Sequence, residues 1–306
     1  MKEVLVKTHE LWLVTLMASF MSKDCEAKRA LNDFSDIIFR HFTWLERALI
    51  KQNIEYDYNR DQIPIKVDNT KVIYNNIVAR INTIELMLVR LEDEDLKFRI
   101  QKDFDYIKYV VSNLDGEAVS AFNAKREYKD VKLSKEATDA FTLFLFEESY
   151  KEYELIMIYN YLKAHSKDDF LNKIFQILVD ESFFHLKSFG QMMAEMGILG
   201  VPRVIHKSLY QIEDVVQFLK DGIDEELAAK EQCLELSEAV GKDSEELSRF
   251  FDFINYQENY HIALMQDALK YYESKGDWWV GILLLLFQGF LESLQARVFL
   301  VVFKIL

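Results

Sequence analysis

Proline and glycine are scarce in this chain, at two and nine of 306 residues. Helix breakers are therefore few, and helical periodicity runs almost without interruption, which predicts an all-α fold. Cysteine is nearly absent. Cys25 and Cys233 are too few and too far apart in sequence for a CxxC motif, a zinc site or a disulfide framework. A reducing cytoplasm is the simplest setting for such a chain. Positive charge is in deficit as well: 37 Lys and Arg against 51 Asp and Glu leave a net charge of −14. That balance argues against a nucleic-acid partner, which needs Lys/Arg surfaces. A signal peptide is not expected in the apolar run LWLVTLMASFM. His9 and Glu10 precede it, Lys23, Asp24 and Cys25 follow it, and it lacks a small-residue cleavage pattern.

What the chain has in quantity is apolar surface. Half of its residues are hydrophobic and 14% are aromatic, so a substantial core is expected rather than disorder. The length allows one large or two small domains.

Four helical segments between Phe141 and Ala268 carry acids on their apolar stripes. In the last, steps of four and three residues run Leu247, Phe251, Ile254, Glu258, His261, Met265, Ala268 and Tyr272, which is one helix face. The same reading gives Leu171, Ile174, Leu178, Glu181, His185, Ser188 and Met192 for the second segment. The first reads Phe141, Leu145, Glu148, Glu152, Leu155, Tyr159 and Leu162, and the third Ile212, Val215, Leu219, Ile223, Glu226, Lys230 and Cys233. Two helices thus offer a Glu, and two offer a Glu with a His about one turn later. Buried charge costs several kcal/mol or more unless paired or bound to metal, and four-helix carboxylate di-metal sites use this inventory. Glu147 competes with Glu148, and Glu225 or Glu231 with Glu226; stripe membership favours Glu148 and Glu226.

Heights along the helices agree with this roughly. Glu148 and Glu181 lie 18 and 15 residues either side of Ser166, in the expected turn AHSKDD. Glu226 and Glu258 each lie 16 residues from Lys242, in the expected turn VGKDS. Equal distance from an antiparallel turn means equal level.

FEES, the Glu of DESFFH 33 residues later, and QENYH together resemble the ferritin-like superfamily, in particular rubrerythrin-type domains, over residues ~135–275. The resemblance implies a four-helix bundle holding two iron ions, with manganese as the alternative. Its implied ligands are Glu148, Glu181, His185, Glu226, Glu258 and His261. One departure stands out: the family places His three residues after the first-pair Glu, whereas here Phe184 holds that place and His185 follows at the fourth.

The resemblance also implies the chemistry. Two bridged irons reduce O₂ or peroxide by two electrons. A rubrerythrin supplies its own electrons through a four-Cys iron site, which two cysteines cannot build, so a separate electron donor is expected. A storage cage uses one short bundle per subunit, and this chain is about twice that size. An oxidase or oxygenase acting on a small-molecule substrate is the reading that remains. A peroxide- or O₂-scavenging reductase and a metal-free helical scaffold are the alternatives. Tyr159, on the first ligand stripe, reads as a packing residue before it reads as a redox partner.

Ahead of this bundle, residues 2–22 and 27–52 read as a hairpin, a polar loop with Pro64 follows, and helices near 70–92 and 95–114 flank the acidic turn EDED. Glu10, His41, Glu85 and Asp103 sit on their stripes like a depleted ligand set, with Glu85 and Asp103 each nine residues from Glu94. A degenerate repeat is one reading; pairing of these acids with Arg80, Arg90 or Arg99 is the plainer one. The expected domains are 1–132, 133–275 and an apolar C-terminal helix, 276–306. That helix could span a bilayer through 279–303 by length, but Glu292 and Arg297 lie mid-span, where each charge costs roughly 2.5–3.5 kcal/mol. Burial between the halves or in a homodimer interface is expected instead; Glu292 as an extra ligand is a minor reading.

Overall fold

The computed structural model describes residues 1–63, 69–119, 127–129, 131–198, 200 and 202–302, with 276–302 described as backbone. The all-α expectation holds. Among the described residues the elements are α1 (Lys2–Met21), α2 (Cys25–Lys51), α3 (Thr70–Leu88), α4 (Glu94–Asn113), α5 (Lys135–His165), α6 (Asp169–Glu195), α7 (Lys207–Tyr210), α8 (Val215–Gly241) and α9 (Glu245–Val302). Contacts divide the chain into two units, Met1–Ile212 with Glu231–Asn255, and Glu213–Lys230 with Tyr256–Leu306. The expected boundary at 132/133 lies within the first unit. There α1 packs on α6 and α2 on α5. The backbone helix of α9 continues through 275/276. The side chains of the apolar tail, Glu292 included, lie outside the described residues.

Local chemistry explains where the helices start. Asp24, Asn69, Asp93, Ser134 and Asp168 each accept a backbone N–H of the first turn, satisfying donors that the helix itself leaves open. At its other end α6 closes on Gly197, whose φ of 69° suits a residue without Cβ. Ile198 N–H reaches Met193 O at 2.8 Å and Gly197 N–H reaches Ala194 O at 3.0 Å, the paired bonds of a Schellman stop. This turns the chain into the crossover toward α8.

In the first unit α1 is buried on nearly every side. It is long and apolar enough to cross a membrane, yet 89% of its apolar window is buried, as in a helix enclosed by its own protein. A second core joins α5 and α6 to the end of α8 and the start of α9, with Phe141, Phe144, Phe189, Leu236 and Phe251 at its centre.

The polar loop after α2 has a pattern that its composition hides. Tyr56, Tyr58 and Arg60 are buried, whereas Glu55, Asp57, Asn59 and Asp61 are exposed. That is a strand's period of two without a strand partner. The inward side chains clamp other elements. Arg60 donates to Pro202 O and Arg203 O at 2.9 Å each, and the Tyr58 amide donates to Tyr210 Oη at 2.9 Å. Glu46 of α2, fully buried, accepts from Tyr56 Oη at 2.7 Å and from Tyr58 Oη through one oxygen. Its other oxygen accepts from Asn160 Nδ2 of α5 at 2.7 Å.

Burial pushes the pKa of Glu46 up to about 7, against the opposing pull of those three donors. An unfolded Glu titrates near 4.3, so between these values the folded chain holds a proton that the unfolded chain has lost. The contribution is complete below the lower value and is lost as pH rises through about 7. Glu46→Gln removes it. Urea denaturation should show the variant gaining about 3 kcal/mol on the parent between about pH 4 and pH 8; a constant difference would mean that Glu46 is ionised in the fold throughout.

Candidate metal centre

In the second unit α8 and α9 run antiparallel. Lys230 Nζ donates to Asn259 Oδ1 at 2.6 Å, and Lys220 Nζ lies 3.6 Å from Glu273. Further along, a Cβ on Gly222 would meet Met265 Sδ at 3.1 Å. This register puts Glu226 opposite the Glu258–His261 turn. His261 Nδ1 lies 2.8 Å from Glu258 Oε2 and 3.6 Å from Glu226 Oε2. One donor atom from each residue falls within 4.8 Å of the others. All three side chains are buried, at 8%, 4% and 3% exposure for Glu226, Glu258 and His261.

The electrostatics follow from burial and proximity. Burial pushes the pKa of His261 down, but the hydrogen bonds and charges of Glu226 and Glu258 outweigh it and hold the imidazole up at about 11. Burial raises Glu258 to about 8, opposed by His261 and reinforced by Glu226. The charged imidazole thus offsets the cost of burying the acids beside it. A divalent cation can take over that task, with the imidazole losing its proton on becoming a ligand. Two carboxylates and one imidazole suit iron or manganese better than a thiolate-seeking metal, so the residues present fit the expected ion.

In the first unit the hairpin of α5 and α6 carries the other candidates. His185, fully buried, places Nδ1 2.8 Å from Glu152 Oε1. The second oxygen of Glu152 is buried with no hydrogen-bond partner among the described residues. Glu148 is buried and takes Lys151 Nζ at 2.8 Å, and Glu181 is half-buried. Glu152 was on the stripe but outside the expected ligand set. A signal for it was present: Glu152 precedes His185 by the same 33 residues that separate Glu148 from Glu181. The competing acids Glu147, Glu225 and Glu231 are exposed, as stripe membership predicts.

The acids of α1–α4 are neutralised differently. Glu10 takes Arg80 at 2.7 Å and Lys7 at 3.0 Å; Glu85 takes Lys108 at 2.7 Å; Asp103 takes His41 at 2.7 Å and Arg40 at 3.1 Å. Among the described residues Glu226, Glu258 and His261 are the group that converges as metal donors. No protein-family model, curated protein or solved structure matches this chain.

Ferrous iron or manganous ion added without oxygen should raise the melting temperature of the parent by about 5 °C at a hundredfold excess over Kd. Glu258→Ala should lose most of that rise. An equal rise in both proteins, read by scanning calorimetry, would place the binding elsewhere.

Proposed function

We propose that the chain is a non-haem di-iron carboxylate protein, with manganese as the alternative metal, that uses O₂ or peroxide to oxidise a small organic substrate. The observation that carries this reading is the buried convergence of Glu226, Glu258 and His261. The Glu152–His185 pair, with Glu148 and Glu181 on the same two helices, supports it from the first unit. Each hairpin offers a Glu on one helix and a Glu with a His on the other, which supports two ions rather than one. The ligands proposed are Glu148, Glu181, His185, Glu226, Glu258 and His261, with Glu152 added by its buried oxygen.

Two carboxylate-bridged irons, when bound, supply the two-electron reduction of O₂ or peroxide. The residues of the chain bind and insulate. Carboxylates balance the cation charge, the imidazoles release their protons on ligation, and the apolar stripes around them exclude water. Tyr159 is buried and stacked on Phe175 at 6.4 Å, which favours its packing role. Cys25 is exposed and Cys233 buried, each a free thiol, which supports a reducing, cytoplasmic setting and electrons from a separate donor.

A metal-free scaffold is the second reading, favoured by the way Glu152 and Glu258 already engage a histidine each. Elemental analysis of untagged protein separates the two. About two irons or manganese ions per chain are expected, with O₂ uptake on adding a chemical reductant. No metal as purified, and none taken up anaerobically, would overturn the enzyme reading.

A further inference from the structure

A cleft of about 480 Å³ opens between α2, α5 and α6 within the first unit, lined in part by Phe39, Arg40, Lys163, Gln176, Phe183 and Lys187. That volume is in the range of small-molecule sites. Its floor is aromatic: Phe39 meets Phe183 edge-on at 4.8 Å, and Trp12 backs both at 4.7 and 5.6 Å. Three cations line it, and two of them are matched. Lys187 Nζ donates to Asp36 at 2.6 Å, and Arg40 donates to Asp103 at 3.1 Å while its guanidinium lies over Trp44.

Lys163 is different. It is buried, at 8% exposure, and its ammonium has a neutral partner, the amide oxygen of Gln176 at 2.8 Å. Gln176 is oriented for this by donating its own amide N–H to Asp180 at 2.8 Å. A buried ammonium whose hydrogen bond goes to a neutral amide is costly; burial, with Arg47 nearby, lowers its pKa against the opposing charges of Glu46 and Asp180.

We propose that this cleft binds a small organic monocarboxylate with an apolar or aromatic body. The carboxylate completes the hydrogen bonding of Lys163, and the body lies against Phe39 and Phe183. The lining includes none of the proposed metal ligands, so the assignment does not rest on metal binding.

The test is a ligand-observed NMR titration of the full chain with 3-phenylpropanoate and, in parallel, 3-phenylpropanamide. The acid should bind about tenfold more tightly than the amide. Lys163→Met should erase that preference by weakening the acid alone, with binding of the amide retained as the sign of an intact fold. Thr43→Trp, which fills the cleft without touching Lys163, should weaken acid and amide together. Equal binding of acid and amide, an unchanged preference in Lys163→Met, or no binding of either probe at millimolar concentration would overturn the assignment.

Discussion

A carboxylate taken out of water must be given donors, a cation or a metal, and the interior of this protein is arranged around that demand. Glu10, Glu46, Glu148, Glu152, Glu226 and Glu258 are all buried. The compensation takes distinct forms. Arg80 answers Glu10, three neutral donors answer Glu46, and histidines answer Glu152 and Glu258. The forms are not equivalent. A guanidinium keeps its charge at any physiological pH and is no metal ligand, so Glu10 is committed. An imidazole, even one held protonated by its acids as His261 is, surrenders its proton to an incoming metal and then offers a lone pair. The acids matched by histidine therefore remain available to a cation in a way that the acid matched by arginine does not.

This distinction gives the likeness between α1–α4 and the following helices a physical meaning. Both place acids on apolar stripes. Arg80 and Lys108 lie close to Glu10 and Glu85 and neutralise them. His41 has Asp103, but Arg40 shares the same carboxylate. Guanidinium and ammonium groups thus sit where a cation would otherwise be drawn.

Much of this was legible beforehand because helices translate sequence spacing directly into faces. The stripe that joins Glu258 to His261 follows from periods of three and four, and the polar residues of AHSKDD and VGKDS mark the breaks between α5 and α6 and between α8 and α9. Choosing Glu148 over Glu147, and Glu226 over Glu225, followed from the same rule. The period is silent about partners on other elements. Glu10 finds Arg80 across a gap of 70 residues, and His185 finds Glu152 on the neighbouring helix. The inward turn of Tyr56, Tyr58 and Arg60 was hidden for another reason: a period of two in three polar-tipped residues reads as surface until something buried needs their donors.

That extended segment also bears on the order in which the chain is made. The Tyr58 amide finds its acceptor in Tyr210, 152 residues further on, and Arg60 closes on the carbonyls of Pro202 and Arg203. At ribosomal speeds of ~5–20 residues per second the wait is roughly eight to thirty seconds. Throughout it, a nascent chain with its first helices already out of the exit tunnel has no acceptor for these groups. Completion of the amino-terminal helices is thereby tied to the arrival of the crossover, and a chain truncated before it would leave Arg60 and the Tyr58 amide to solvent or to a chaperone.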